Sequence, residues 1–164
     1  MFEVTAASSV LFSLSSMFLL DYAYLDIRDR RVPNNLMYVS AFFGFFVITV
    51  TGHLLENLLL HISALGFMVL VSFLLFRIGS IGGADFKALL VIAMTSPGIL
   101  FASWSDPVFE GIIAGGLEVA IMLLLGLLYS RISKPENRSD RKKEVPLLPL
   151  LLIAYLAVQL LALA

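Results

Sequence analysis

The stretch LLENLLLHISALGFMVLVSFLLF, residues 54–76, decides the class of this protein. Its only charged residue is Glu56, and about 20 apolar residues are enough for an α-helix to cross the hydrocarbon core of a bilayer. The rest of the chain is similar, because 60% of its residues are hydrophobic, only 14% are charged and the mean hydropathy is +0.97. A water-soluble domain has about 25% charged residues. The sequence therefore predicts one membrane domain over residues 1–164.

Five further apolar segments accompany this stretch, so we expect an all-α membrane protein with six transmembrane helices. The predicted spans are residues 4–25, 35–51, 54–76, 86 to about 103, 108–130 and 146–164. Pro97 interrupts the fourth span and is expected to kink it, because proline removes a backbone hydrogen bond. If Pro97 ended that helix instead, the helix would be too short to cross the membrane.

The basic residues test this division into spans. Of the eleven Lys and Arg residues, three lie between the first and second predicted helices and six between the fifth and sixth, while Arg77 and Lys87 flank the junction of the third and fourth. The positive-inside rule then places these three loops in the cytoplasm and both termini outside. Trp104 lies at an outer helix end, where interfacial aromatic residues are common. The chain has no cysteine, which excludes disulfides, thiolate zinc ligands and thiol nucleophiles.

Ionisable residues inside or near membrane spans are costly and therefore mark candidate functional sites. They are Asp21, Asp26, Glu56, His61, Asp85, Glu110 and Glu118. Asp26 and Asp85 differ from the others because both fall at cytoplasmic helix ends, one closing the first helix and one opening the fourth. Two carboxylates that share a site have pKa values that split, so that one activates water while the other donates a proton. The helix dipole favours Asp85 as the ionised partner.

Short motifs accompany each aspartate. Glycines in residues 79–84 precede Asp85 and would let an extended peptide approach closely. Pro33 stiffens the loop that follows the first aspartate, and Asn34 is predicted to cap the second helix. Lys87 is a candidate to stabilise the charge of Asp85 or to bind a lipid phosphate.

Other polar and small residues leave alternatives open. Asp29 competes with the first aspartate for the catalytic position, because the two lie three residues apart and share a face if the helix continues. Glu56, Asn57 and His61 suit one helix face, which favours a hydrogen-bond cluster over a proton path or a metal site. The small residues at 111–115 predict helix packing, within the chain or between molecules.

At this point the chain resembles a known family. Residues 82–87, GGADFK, are similar to the second catalytic motif of type IV prepilin peptidases, which belong with presenilin to the GxGD membrane aspartyl proteases. Asp26 followed by VPN at 32–34 resembles the first motif, and VPLLP at 145–149 resembles the start of the last helix. Ala84 replaces a glycine of the strict pattern, which favours the archaeal preflagellin and prepilin branch. The cysteine-bearing insertion of methylating bacterial members is absent.

The resemblance implies an aspartic endopeptidase, without a metal or other cofactor, in the plasma membrane of a prokaryote, and of an archaeon in particular. Asp26 and Asp85 would be catalytic, and the supporting residues would be Pro33, Asn34, Gly82, Gly83 and Lys87. The partners would be membrane lipid and a pilin-like or archaellin-like precursor, with no nucleic acid. The precursor's short basic leader would be cleaved off at the cytoplasmic face. The acidic residues that could attract this leader are Asp29, Glu136, Asp140 and Glu144.

Two other functions remain as alternatives to a peptidase. A small proton-coupled transporter would use Asp26, Asp85, Glu56 and Glu118 along one path. It would also need paired broken helices in two halves of the chain, and only the fourth predicted helix contains a break. A membrane scaffold that has lost activity is the second rival, which the presence of both aspartates disfavours.

Overall fold

The computed structural model of the protein describes residues 5–101, 104–132 and 145–160, and all regular secondary structure in these ranges is α-helical. The helices are α1 (Ala6–Asp29), α2 (Asn34–Val50), α3 (His53–Glu56), α4 (Leu58–Ile78), α5 (Gly83–Thr95), α6 (Pro107–Ile132) and α7 (Leu147–Leu160). Each predicted span therefore overlaps at least one helix, and the third overlaps two. Residue 4 of the first span and residues 102–103 of the fourth lie outside the described residues. Residues 161–164 of the sixth predicted span lie outside the described residues.

Three of these helices, α1, α4 and α6, are long and apolar enough to cross a membrane. Two more, α2 and α7, are apolar but shorter, with 17 and 14 residues. Large apolar side chains on these helices point away from the protein interior, as Phe42 of α2 does with 76% of its surface exposed. Such a surface suits lipid and not water, and the protein is a multi-pass membrane protein.

The fourth predicted span ends much earlier than expected. Helix α5 has 13 residues and stops at Thr95, because Ser96 leaves the helical conformation with φ −139° and ψ 74°. A residue before proline is disfavoured in the α conformation, so Pro97 terminates the helix instead of kinking it. The expectation of a kinked helix that continues to about residue 103 is wrong. At a rise of 1.5 Å per residue α5 is about 20 Å long, well short of a bilayer core of roughly 30 Å.

The third predicted span begins later than expected. The chain turns at Gly52, whose φ is 76°, forms the single turn of α3, and breaks again at Asn57 before α4 begins. Asn57 has φ −121° and ψ 39°, outside the helical region. Glu56, Asn57 and His61 therefore do not share one continuous helix, contrary to the expectation from their spacing.

Small residues set the contact between α6 and α4. A Cβ atom added to Gly111 would lie 2.8 Å from Ser63 Oγ and 3.0 Å from the backbone nitrogen of Ala64. A Cβ on Gly115 would lie 3.1 Å from the terminal methyl of Met68. The predicted packing role of residues 111–115 is thus confirmed, and it operates within the chain.

The backbone after α5 is buried although it is not helical. Residues 96–100 are all buried, and in a membrane protein such backbone must find hydrogen-bond partners inside the protein. The N–H of Ile99 donates to Glu110 Oε1 at 3.1 Å, and the N–H of Leu100 donates to Gln159 Oε1 at 2.9 Å. Gln159 in turn donates to the carbonyl of Gly98 at 3.0 Å. Two buried polar side chains, from α6 and α7, therefore take the place of helical hydrogen bonds.

Candidate active site

A cleft of about 1130 Å³ opens where several helix ends meet. Its walls come from the end of α1, the start of α2, the junction of α4 with α5, the end of α6 and the start of α7. The lining residues are Asp26, Arg30 to Asn34, Gly79 to Asp85, Leu123, Gly126, Leu127, Ser130, Val145 and Leu147. The described ends of the three connections in which the sequence concentrates its basic residues therefore adjoin one end of the helix bundle.

Asp26 lies in the last turn of α1 and is half-buried. Helix α1 ends three residues later, where Arg30 adopts a left-handed conformation and its N–H donates to the carbonyl of Asp26 at 3.2 Å. On the opposite wall, the N–H of Leu148 donates to Asp26 Oδ2 at 3.4 Å. The start of α7 thus holds a carboxylate that belongs to α1.

Asp85 occupies the first turn of α5 and is 9% exposed. The N–H of Gly82 donates to Asp85 Oδ2 at 2.8 Å, so the Asp85 side chain also caps the start of α5. A Cβ on Gly82 would lie only 3.1 Å from the same oxygen, which explains a small residue at this position. The cap fixes the carboxylate in the wall of the cleft.

The two aspartates have similar backbone environments. Each accepts a hydrogen bond from a backbone N–H next to a helix N-terminus, that of α7 for Asp26 and that of α5 for Asp85. Both carboxylates therefore adjoin the positive end of a helix dipole. The argument that the dipole singles out Asp85 is not upheld, because it overlooked α7.

The supporting residues predicted from sequence divide into two groups. Four of them line the cleft together with both aspartates, namely Pro33, Asn34, Gly82 and Gly83. Lys87 does not line it; its ammonium donates to Asn34 Oδ1 at 2.5 Å and lies 5.9 Å from the ring centroid of Tyr38. The predicted capping of α2 by Asn34 is wrong, because α2 already begins at this residue and its N-cap is Pro33. The side-chain oxygen of Asn34 is used by Lys87 instead.

The competing acidic residues lie elsewhere. Asp29 is exposed outside the cleft, where it pairs with Arg28 at 3.2 Å. Glu118 is buried in α6 with 2% exposure, and it does not line the cleft either. Glu56 is exposed on α3. The path of acidic residues that a proton-coupled transporter requires is therefore not supported. The other residues considered for leader binding, Glu136, Asp140 and Glu144, lie outside the described residues.

A histidine pair links α3 to α4. His53 Nδ1 and His61 Nε2 are 3.0 Å apart and share a hydrogen bond, so the polar cluster expected around His61 exists with a partner that sequence reasoning missed. Burial lowers the pKa of His53 below its ordinary value, and the negative charge of Glu56 opposes that shift. No group of three or more His, Asp or Glu residues within the described ranges is arranged to hold a metal ion.

Sequence reasoning also missed parts of the cleft wall. The donor to Asp26 is a backbone N–H, which no side-chain pattern reveals, although the prolines at 146 and 149 did mark the start of α7. The wall contributed by α6, which includes Leu123, Gly126 and Ser130, gave no signal, because these residues are ordinary for a membrane helix.

These features define a helical multi-pass membrane protein with two aspartates in one cleft at a single end of the bundle. The chain matches the type IV leader peptidase family over residues 12–163 and belongs to that family. The resemblance inferred from the motifs is confirmed. Membership implies peptidase activity and pilin-type precursor substrates. No curated protein and no solved structure matches the chain.

Proposed function

We propose that the protein is an aspartic endopeptidase in which Asp26 and Asp85 form the catalytic pair. The observation that carries this proposal is that both side chains line one cleft, although 59 positions separate them in the chain. Backbone N–H groups hold one oxygen of each carboxylate. Fixed carboxylates suit chemistry whose transition state needs acid and base groups in defined places.

In the proposed reaction one aspartate is ionised and the other is protonated, because two carboxylates that share a site do not both ionise readily. The ionised carboxylate takes a proton from a water molecule as its oxygen attacks the scissile carbonyl. The protonated carboxyl donates its proton to the carbonyl oxygen. As the tetrahedral intermediate collapses, the C–N bond breaks and the leaving nitrogen takes a proton from one carboxyl group. One hydroxyl of the intermediate returns its proton to the other carboxylate, which restores the singly protonated pair. Peptide and water thus yield one acid and one amine.

We further propose that the substrate is a pilin-like or archaellin-like precursor whose short basic leader is removed at the cytoplasmic face. Pilin-type substrates follow from the family. The choice of face rests on the positive-inside rule, because the cleft lies where the described ends of the three basic connections meet. The segment from Gly79 to Gly83 lines the cleft, and its glycines leave room for an extended peptide to approach the backbone.

The decisive experiment measures cleavage of candidate precursors by the purified protein in lipid vesicles. We expect Asp26→Asn and Asp85→Asn each to lower the cleavage rate by at least about 100-fold, because each removes one half of the acid–base pair. Asp29→Asn is the matched control and is expected to retain activity, since Asp29 lies outside the cleft.

Undiminished cleavage by either Asp26→Asn or Asp85→Asn would remove that residue from the mechanism. Loss of activity in Asp29→Asn together with full activity in Asp26→Asn would transfer the catalytic role to Asp29. A bell-shaped dependence of the rate on pH is expected for the parent protein, because one member of the pair must be protonated and the other ionised.

A further inference from the structure

A second, smaller depression lies on the outer surface between α2, α4 and α5. It has a volume of about 190 Å³, and its walls are apolar, with Met37 and Ala41 from α2, Leu65 from α4 and Leu90 from α5. We call it the α2–α5 groove. It shares no lining residue with the catalytic cleft. Tyr38 on its rim is 63% exposed, so the groove faces the surroundings of the bundle.

A positive charge lies beside one end of the α2–α5 groove, whose own lining is entirely apolar. Lys87 contributes apolar atoms to the lining, and its ammonium is held by Asn34 Oδ1 at 2.5 Å and by the ring of Tyr38 at 5.9 Å. Within the described residues no carboxylate forms an ion pair with Lys87; the single ion pair is that of Arg28 with Asp29. The contacts of Lys87 are thus neutral, and they fix the position of its charge without cancelling it.

The N-terminus of α2 lies beside this ammonium. Asn34 is the first residue of α2, the helix has no side-chain cap, and its first turn contains no acidic residue. The first N–H groups of a helix lack intrahelical partners, and the positive end of the helix dipole attracts anions. Lys87 and the start of α2 therefore present positive charge together, at the end of an apolar groove.

We propose that the α2–α5 groove binds one anionic phospholipid. Its phosphate would contact Lys87 and the start of α2, and one acyl chain would lie against Met37, Ala41 and Leu90. The ligand must combine an anionic head with a hydrocarbon tail, because the site combines an uncancelled charge with apolar walls. A soluble phosphate would leave the groove unused. An α-helix, about 10 Å across, is too wide to enter so small a depression.

The bound lipid would adjoin the catalytic cleft through Asn34. This residue lines the cleft, and the same side chain accepts the hydrogen bond from Lys87. A phosphate bound to Lys87 would therefore lie next to Asn34, a residue of the cleft wall, on the side that faces the α2–α5 groove.

The test uses the full-length protein without any precursor, so it is independent of the proposed peptidase activity. The protein is reconstituted in phosphatidylcholine vesicles that contain spin-labelled phosphatidylglycerol or spin-labelled phosphatidylcholine. Electron spin resonance then gives the relative association constant of the two lipids for the protein surface. We expect a preference for phosphatidylglycerol of roughly fivefold, the size expected for one lysine near a membrane surface.

Four variants decide the outcome. Lys87→Gln is expected to abolish the preference, and Lys87→Arg to retain it. Arg77→Gln is the matched control, because Arg77 is an exposed cation at the end of α4 that lines neither cavity, and it is expected to retain the preference. Ala41→Leu fills the groove without changing any charge and is expected to weaken the preference.

Three results would overturn the proposal. They are no preference in the parent protein, an equal loss in Lys87→Gln and Arg77→Gln, and an unchanged preference in Ala41→Leu. The first would mean that only bulk lipid covers the groove, and the second that net charge alone attracts the lipid. The third would mean that no acyl chain lies in the groove. In that third case a separate cleavage assay identifies the occupant: a raised KM for a precursor in Ala41→Leu would assign the groove to the substrate's apolar segment.

Discussion

Arg30 has a left-handed backbone conformation. It is the only non-glycine residue in the described ranges with a positive φ. Its φ of 53° and ψ of 22° close the C-terminus of α1, a position usually occupied by glycine. The left-handed conformation costs a residue with a side chain about 1–2 kcal/mol. An arginine in the wall of the cleft therefore occupies this position at a cost in stability, and such strain is common at functional sites.

This cost is measurable with a pair of variants. We expect Arg30→Gly to be more stable than Arg30→Ala by about 1 kcal/mol, because both lose the guanidinium and only glycine removes the backbone strain. Thermal unfolding in detergent compares the two. Equal melting temperatures would show that the end of α1 is not strained at this residue.

The two aspartates could be singled out from sequence because ionisable groups stand out against apolar spans. The hydrogen-bond partners of the site residues could not be predicted from the sequence. Leu148 is 122 positions from Asp26, and Lys87 is 53 positions from Asn34. Helix-capping rules use neighbours in sequence, so they assigned Asn34 a local role, whereas its actual partner comes from another helix.

At the scale of helices, the contact between α2 and α5 depends on one glycine. A Cβ atom on Gly44 would overlap with the side-chain methyl of Thr95. Thr95 cannot turn away without cost, since its hydroxyl hydrogen-bonds the carbonyl of Val91 at 3.0 Å and Ser15 Oγ at 3.0 Å. The space beside residue 44 is therefore filled by the Thr95 side chain and leaves no room for a Cβ atom.

We expect Gly44→Ala to destabilise the protein by about 1–3 kcal/mol, the usual cost of overpacking a tight contact. Gly66→Ala in α4 is the matched control, because a Cβ at that position meets no atom within 4 Å. It is expected to be neutral or stabilising by up to about 1 kcal/mol, since alanine favours a helix over glycine. Comparable melting temperatures for the two variants would contradict the close approach of α2 and α5.

The long helices were predictable from their apolar composition, because a segment in lipid must satisfy its backbone hydrogen bonds internally and an α-helix does so. The positions at which the helices break were less predictable. Pro97 permitted either a kink or a terminus, and the outcome depended on Glu110 and Gln159, which satisfy the buried backbone after α5. The turn of α3 was missed because Leu54 and Leu55 continue the apolar pattern.

At the scale of the whole molecule, the cleft that contains Asp26 and Asp85 and the start of α6 lie at opposite ends of the bundle. Helix α6 has 26 residues, or about 39 Å at 1.5 Å per residue. Ser130 near its end lines the cleft, and Pro107 is its first residue. Ser80 in the cleft and Ser105 before α6 are both exposed, and the helix holds them far apart.

These two serines can report the orientation of the protein. We expect Ser80→Cys to react with a membrane-impermeant maleimide only from the cytoplasmic side, and Ser105→Cys only from outside, as the distribution of basic residues predicts. The parent chain has no cysteine and gives the background. Labelling of Ser80→Cys only from outside would reverse the proposed topology.

The hydrogen bond between Leu148 and Asp26 also sets the earliest point during synthesis at which the cleft can be complete. At about 5–20 residues per second, the ribosome needs roughly 6 to 24 s to add the 122 residues that separate these two positions. Until α7 enters the membrane, the first aspartate lacks its backbone donor and the cleft lacks a wall. A nascent chain therefore carries both aspartates in an open, unassembled arrangement. On the proposed mechanism, activity therefore begins only when α7, the last described helix, has arrived.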